Sequence, residues 1–270
     1  MVLMSLWAAG PAGAQLEQPV SLEASWKICQ DRDPDISIAG CSAIIKDGRE
    51  RGRNLARAYA QRASAYVMLQ DFSRALQDLS EAIKLDPNDP KAFANRGAMY
   101  RVTGEDDLAI QDYSAALKLD PRFIDALLNR ASAFSSRSRC AEAVSDLNRV
   151  VEADPRRTEA FIERGVCQES LGRNDLALAD FAAALALDPT STYPLERRAA
   201  MLFRSGDLDG ARADYVRLLV INPNAPRALY GRGVIKRLKG DVRGGDADIE
   251  TARVLRSNVV DEMAARGVKP

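Results

Sequence analysis

The feature that most constrains this chain is a sequence repeat with a constant step of 34 residues. Its clearest marker is an aspartate or asparagine followed by proline, which recurs at Asp86-Pro87, Asp120-Pro121, Asp154-Pro155, Asp188-Pro189 and Asn222-Pro223. A single globular core does not require punctuation at a fixed interval. The spacing therefore predicts a repeat array in which each unit packs mainly against its neighbours.

Each repeat carries two helix-like patterns. With Pro90 as position 1, positions 8 and 20 are small in all six copies, whereas positions 4 and 24 are bulky. Positions 4, 8 and 11 lie on one face of a first helix, and positions 20, 24 and 27 lie on one face of a second. We expect the small residues to let the two helices approach closely, with the bulky ones filling the space around the contact.

Residues typical of helix ends separate the two patterns. Position 15 is glycine in four copies: Gly104, Gly172, Gly206 and Gly240. A glycine there is expected to adopt the left-handed conformation that ends the first helix. Position 16 is aspartate in three copies, Asp71, Asp207 and Asp241, which are expected N-caps of the second helix. Each unit is therefore predicted to be a helical hairpin.

The segment FANRGAMYRVTGEDDLAIQDYSAALKLDP (Phe93 to Pro121) and its five neighbours resemble the tetratricopeptide repeat family. The resemblance covers residues 56–257 and departs from the pattern in the sixth copy, where Gly245 replaces alanine and Ser257 replaces proline. It implies an all-α fold, a right-handed superhelical solenoid of six 34-residue helical hairpins with N- and C-terminal capping helices. It also implies a protein or peptide partner, bound along the concave surface that the first helices line.

The first fourteen residues, 1–14, have the pattern of a signal peptide. A short apolar stretch and a Gly-Pro pair precede Ala12-Gly13-Ala14, an A-x-A signature that predicts cleavage after Ala14. The cationic start of a typical signal is missing, because no lysine or arginine precedes Lys27. The alternative is an apolar terminus that is kept. The favoured interpretation is an exported bacterial protein, periplasmic or secreted, and the alternative location is cytoplasmic.

Two segments flank the repeats. Residues 15–55 are predicted to hold a lone capping helix, because Ser37 to Lys46 aligns with Ala109 to Lys118 of a second helix. Residues 258–270 are predicted to form a C-terminal capping helix and tail. In that helix, Val259, Val260 and Met263 are expected to cover the apolar side of the sixth repeat.

Four cysteines indicate the same oxidising compartment. Their positions predict two local disulfides, Cys29–Cys41 and Cys140–Cys167, one of three possible pairings. The alternative is that they are ordinary buried thiols. A zinc site is not expected, since the chain has neither histidine nor a C-x-x-C motif.

Composition argues against several function classes. The chain has 38 basic and 38 acidic residues, so no electrostatic footprint points to nucleic acid or an anionic membrane. Beyond the N-terminal stretch, no segment approaches the length of a membrane span. Without histidine, catalytic systems of the Ser-His-Asp and Cys-His types are excluded, and no phosphate-binding loop occurs. We therefore expect a non-catalytic protein without a cofactor.

The most regular polar feature is an arginine at position 7 and an aspartate at position 23 of every copy. Six matched pairs suggest either a ligand ladder or a structural bridge in each hairpin. The structural interpretation is favoured. Pairing within one unit is expected because the capping helix offers only Gly40 at the place that would otherwise face Arg62.

The surface left for function is formed by positions 2, 5, 6, 9, 12 and 13 of the first helices. The candidate partner-binding residues on it are Asn95, Asn129, Glu163, Tyr193, Arg197, Phe203, Tyr230 and Arg237. Asparagine side chains there suit the backbone of an extended peptide. The three aromatic side chains are expected to anchor an apolar side chain of the partner, flanked by arginines that suit an acidic segment.

Some members of the resembled family grip the carboxy-terminal tail of a chaperone with a two-carboxylate clamp that needs lysine at position 5 of one unit. Here that position holds Ala60, Ala94, Leu128, Ile162, Glu196 and Tyr230. The sequence is thus interpreted as an interaction scaffold without this clamp. A cytosolic adaptor or chaperone cofactor is the alternative.

Overall fold

The structure, a computed structural model, describes residues 21–269. These residues form fifteen α-helices, and no strand occurs in this range. These described residues divide into two compact units, one that ends at Asn88 and one that begins at Asp89. The predicted signal peptide, residues 1–14, lies outside the described residues.

The first unit contains a short cap and the first repeat. Its helices are α1 (Leu22–Cys29), α2 (Pro34–Asp47), α3 (Gly52–Met68) and α4 (Phe72–Leu85). The prediction of one lone capping helix was wrong, because α1 also forms and pairs with α2. Gly40 permits this pairing, since a Cβ added there would lie 2.7 Å from the carbonyl carbon of Ile28. The cap is therefore a hairpin of its own.

A disulfide between Cys29 and Cys41 joins the two helices of this cap. Both cysteines are fully buried in a small cluster with Ile44 and Ala58. The hydroxyl of Ser37 also donates to the Cys29 carbonyl over 2.7 Å. The first predicted pairing is thus present in the structure.

The second unit contains the remaining five repeats and a terminal helix. Its helices are α5 (Pro90–Val102), α6 (Asp106–Leu119), α7 (Ile124–Ser136), α8 (Cys140–Ala153), α9 (Thr158–Ser170), α10 (Asn174–Leu187), α11 (Thr192–Arg204), α12 (Leu208–Ile221), α13 (Pro226–Leu238), α14 (Val242–Leu255) and α15 (Val259–Ala265). Each helix from α5 to α14 contacts the next one along the chain. The predicted succession of helical hairpins is confirmed.

Two hairpins, those of the second and fourth repeats, combine a glycine at position 8 with an aromatic residue at position 24. A Cβ on Gly97 would lie 3.0 Å from the Tyr113 ring. A Cβ on Gly165 would meet the ring of Phe181 at 2.9 Å. In the sixth repeat a Cβ on Gly245 would lie 2.6 Å from the Gly233 carbonyl oxygen, so backbone packs against backbone. This contact explains why glycine replaces the expected alanine there.

Every first helix ends in a left-handed residue at position 15. Four copies use the predicted glycines, and the other two use Gln70 and Ser138, with φ of 59° and 58°. Side chains of Asp71, Asp207 and Asp241 then cap the second helices by accepting backbone hydrogen bonds. The predicted turn chemistry is confirmed.

The arginines at position 7 pair with the aspartates of their own units, as predicted. Arg130, for example, donates from Nε and Nη2 to both Asp146 oxygens over 2.7 and 2.8 Å. Equivalent bidentate pairs are Arg62–Asp78, Arg96–Asp112, Arg164–Asp180, Arg198–Asp214 and Arg232–Asp248. The aspartates are all buried, so this ladder belongs to the framework of the hairpins.

The terminal helix α15 does not continue the stack. It contacts α13, a first helix, more extensively than α14. Val259 and Met263 are buried as expected, but in a cluster that includes Tyr230 of α13. The segment therefore packs on the surface of the first helices at the end of the unit.

The predicted Cys140–Cys167 disulfide is not formed. Both residues are buried and free. Burial, followed by a hydrogen bond with Cys140, raises the pKa of the Cys167 thiol to about 12. A thiol that stays protonated at neutral pH is a poor partner for disulfide exchange. The sequence correctly predicted that the two cysteines are neighbours, but the predicted bond between them was wrong.

Candidate functional site

First helices of four consecutive repeats line one open cavity of about 420 Å³. Its lining residues are Arg101 of α5, Ser132, Ser135 and Ser136 of α7, Ile162, Glu163 and Val166 of α9, and Tyr193 of α11. All of them occupy positions 2, 5, 6, 9, 12 or 13 of their repeats. The structure therefore brings together the positions that the sequence assigned to a binding groove.

Asparagines lie on the same helices as the cavity. Asn95 of α5 and Asn129 of α7 are both exposed and share position 6 with Glu163. Their amide groups each offer donors and an acceptor to solvent or to a bound chain. Position 6 thus forms a polar row across successive first helices.

Glu163 is the acidic residue that lines the cavity. Burial raises the pKa of its carboxyl group, and the nearby charge of Glu159 acts in the same direction. The positive charge of Arg101 and a hydrogen bond from Ser132 partly oppose that rise. Glu163 Oε2 is buried and has no hydrogen-bond partner in the protein.

Arg101 of α5 lines the same cavity. Its Nε is also buried without a hydrogen bond, and the nearest acid, Asp106 Oδ1, lies 3.7 Å away. That distance is an ion pair but is too long for a hydrogen bond. A donor and an acceptor are therefore both unmatched in one site.

Tyr193 is the one candidate aromatic side chain that the structure exposes, at 48% of its maximal surface. The guanidinium of Arg197 lies 5.9 Å from the centre of its ring. Arg197 itself donates to Glu169 Oε2 over 2.6 Å, and Arg204 donates to Oε1 over 2.7 Å. Arg197 was expected to meet a partner carboxylate; in the structure it is already paired with Glu169, which it shares with Arg204.

The other two aromatic candidates do not face an open groove. Tyr230 is only 2% exposed, and Phe203 packs against the same buried cluster, which includes Val259 and Met263 of α15. The expectation that both serve as exposed anchors was wrong, because Tyr230 is buried and Phe203 is partly buried against this cluster. Arg237 is half-exposed and pairs with Asp246 at 3.3 Å.

Ion pairs and a backbone hydrogen bond hold the terminal segment in place. Arg227 of α13 donates to Glu262 of α15 over 2.8 Å, and it also reaches Glu196 at 3.2 Å. Arg204 of α11 donates to the carbonyl oxygen of Arg266 over 3.0 Å. Because α15 lies on the first helices, these contacts close the groove at α13 and on α11 from Glu196 onward, beyond the exposed Tyr193.

Several of these features had no signal in the sequence. Ser132 and Val166 occupy groove positions but are too ordinary in type to single out. The pairing of Glu169 with Arg197 joins residues of adjacent repeats, and the folding of α15 onto α13 depends on contacts distant in the chain. Periodicity alone predicts neither.

Within residues 21–269, no group of three or more acidic or cysteine side chains is placed to hold a metal ion. None of the helices in this range is long and apolar enough to cross a bilayer.

The chain matches two family models, both described as tetratricopeptide repeat. One covers residues 56–89 and 90–123, and the other covers 128–192 and 198–243. No curated protein matches the chain in sequence.

Two of the solved structures with similar folds are described as TPR proteins. The C-terminal part of a TPR repeat-containing protein from Cytophaga hutchinsonii has a TM-score of 0.72 and 18% identity, over 93% of this chain and 100% of that one. The pilF protein of Pseudomonas aeruginosa has a TM-score of 0.64 and 22% identity, over 79% of this chain and 98% of that one. YrrB, described as a TPR protein with an unusual peptide-binding site, has a TM-score of 0.61 and 20% identity, over 70% and 96%.

At these identities the likeness to solved structures shows the fold, an all-α solenoid of helical hairpins. The assignment to a family rests on the family models, together with the repeated hairpins and their Arg–Asp pairs. The chain belongs to the tetratricopeptide repeat family, whose members are protein-interaction scaffolds.

Proposed function

We propose that this protein is a non-catalytic scaffold that binds an extended segment of a partner protein in the groove formed by α5, α7, α9 and α11. The observation that carries the proposal is the cavity that spans these four helices, together with the row of polar side chains at position 6. An extended chain presents backbone donors and acceptors at regular intervals. Exposed amides such as Asn95 and Asn129 suit those groups.

The bound segment occupies the second to fifth repeats in this proposal. In the last two repeats α15 covers Tyr230 and packs near Phe203, so the aromatic surface there is already used. Tyr193 stays exposed at the edge of the open part and is the aromatic contact for the partner. Support for a peptide ligand also comes from YrrB, whose structure is described as having a peptide-binding site.

The proposal includes export to an oxidising compartment such as the bacterial periplasm. It rests on the signal-like residues 1–14 and on the Cys29–Cys41 disulfide, a bond that persists in oxidising compartments. Intact mass of the protein from its native cell tests both features at once. We expect a chain that starts at Gln15 and has lost two hydrogens. A full-length, fully reduced chain would instead favour the cytosolic adaptor.

A library of random linear peptides of about ten residues, roughly 33 Å long when extended, tests the groove. We expect the purified protein to retain peptides that the double variant Asn95→Ala, Asn129→Ala binds at least tenfold more weakly. Asn174→Ala is the matched control, because Asn174 is exposed on a second helix and away from the groove. Equal binding to all three proteins, or none to the wild type, would refute the proposal.

A further inference from the structure

The cavity of the groove contains an unusual concentration of unmet polar groups. Over the described residues, three buried side-chain polar atoms have no hydrogen-bond partner in the protein. Two of them, Arg101 Nε and Glu163 Oε2, belong to residues that line this one cavity. Buried polar groups are nearly always paired, and leaving one unpaired destabilises the fold. Their presence in a single cavity points to a ligand that pairs with them.

The protein does not satisfy these two groups with each other. Arg101 and Glu163 form no ion pair, although the charge of Arg101 is close enough to act on the Glu163 carboxyl group. Oε2 of the Glu163 carboxyl group has no hydrogen-bond partner in the protein. The site thus offers one N–H donor and one carboxylate acceptor that are held apart on α5 and α9.

Hydrogen-bonding capacity selects against an ionic ligand group. A carboxylate only accepts, so it could pair with Arg101 but would leave Glu163 Oε2 unpaired, and it would be repelled by Glu163, Glu159 and Asp106. An ammonium or guanidinium group only donates, so it could pair with Glu163 but would leave Arg101 Nε without an acceptor. A neutral group that both accepts and donates a hydrogen bond satisfies the two sites without bringing another charge into a partly desolvated cavity.

We propose that this cavity binds the carboxamide side chain of a glutamine or asparagine in the partner segment. The carboxamide oxygen accepts from Arg101 Nε, and its NH₂ group donates to Glu163 Oε2. This inference rests on the proposed function, because it names a side chain of the segment that the groove binds. Asn95 and Asn129 then serve the backbone of that segment.

The remaining walls suit the rest of such a side chain. Ile162 and Val166 are partly buried and supply apolar contact, and the exposed ring of Tyr193 lies at the edge. The volume of about 420 Å³ leaves room for the methylene groups and for the backbone that carries them. Glutamine reaches further into the cavity than asparagine, so we expect it to bind more tightly.

Peptide mixtures with one fixed central residue and randomised flanks test this assignment. Mixtures with glutamine, glutamate, lysine or methionine at the centre are titrated against the purified protein by fluorescence polarisation. We expect the glutamine mixture to bind about tenfold more tightly than each of the others. In the variant Glu163→Gln the acceptor charge is lost, and we expect glutamate to be bound as well as glutamine. The control Glu152→Gln, an exposed site on α8, should keep the preference of the wild type.

Each outcome separates the two proposals. If peptides bind in the groove but glutamate, lysine or methionine is preferred at the centre, the carboxamide assignment is wrong and the peptide-binding function stands. If glutamine is preferred equally by the wild type and by Glu163→Gln, its side chain binds elsewhere, and the assignment is also wrong. If no mixture binds the wild type, the proposed function fails and this inference fails with it. Circular dichroism verifies that the variants keep their helical content.

Discussion

The Arg–Asp ladder gives the sharpest test of what holds the hairpins together. In the third repeat, Asp146 has only 4% of its side chain exposed and accepts two hydrogen bonds from Arg130, whose side chain is 18% exposed. Replacing Asp146 by alanine leaves the arginine charge largely buried with only Ser114 as a polar partner. Breaking a buried pair in this way costs about 3–5 kcal/mol. Because Arg130 retains some contact with solvent, we expect a loss near 3 kcal/mol.

Two comparisons separate burial from the mere loss of an ion pair. Glu142→Ala removes the partner of Arg139, a pair in which both side chains are almost half-exposed, and should cost only about 0.2–1 kcal/mol. The double variant Arg130→Met, Asp146→Leu removes both charges and fills their space with apolar groups. It should be more stable than Asp146→Ala, because no unpaired charge is left.

Urea unfolding followed by circular dichroism measures these differences. With a denaturant slope of about 3 kcal/mol per molar, a loss of about 3 kcal/mol lowers the midpoint by about 1 M. The slope should not change between variants if only stability is affected. A midpoint for Asp146→Ala no lower than that for Glu142→Ala would refute the view that the ladder is a buried framework.

Three further predictions concern other parts of the chain. Gly245→Ala should lower the free energy of unfolding by about 1–3 kcal/mol, because the added Cβ meets rigid backbone. In the same urea assay Gly97→Ala should be nearly neutral, because its Cβ meets only the Tyr113 ring. Burial raises the pKa of Glu163 in the folded state, so the stability of the wild type falls as pH rises above the usual carboxyl pKa of 4.5. Glu163→Gln removes this loss, so it should raise the urea midpoint at neutral pH but not near pH 4. Reduction of the Cys29–Cys41 disulfide, or Cys41→Ser, should cost about 3 kcal/mol of loop-closure free energy. The buried thiol of Cys167 should react with iodoacetamide only after unfolding.

The sequence by itself determined the repeat, the hairpin and its ends. The constant step of 34 residues can be recognised without any knowledge of long-range contacts, because small and bulky positions recur at helical spacing within each unit. Helix caps and left-handed turns are local as well, which is why Asp71 and Gly104 could be assigned from type and position. Pairing of each arginine with the aspartate of its own unit was favoured because the capping helix offers only Gly40 at the place that would otherwise face Arg62.

Tertiary structure decided the properties that depend on packing between distant segments. Whether Tyr230 is exposed depends on where α15 folds, and the fold of α15 onto α13 rests on ion pairs such as Arg227–Glu262. Burial likewise keeps Cys167 a protonated thiol instead of half of a disulfide. The unmatched atoms of Arg101 and Glu163 become visible only when desolvation and distance are known, because neither is a property of residue type or spacing.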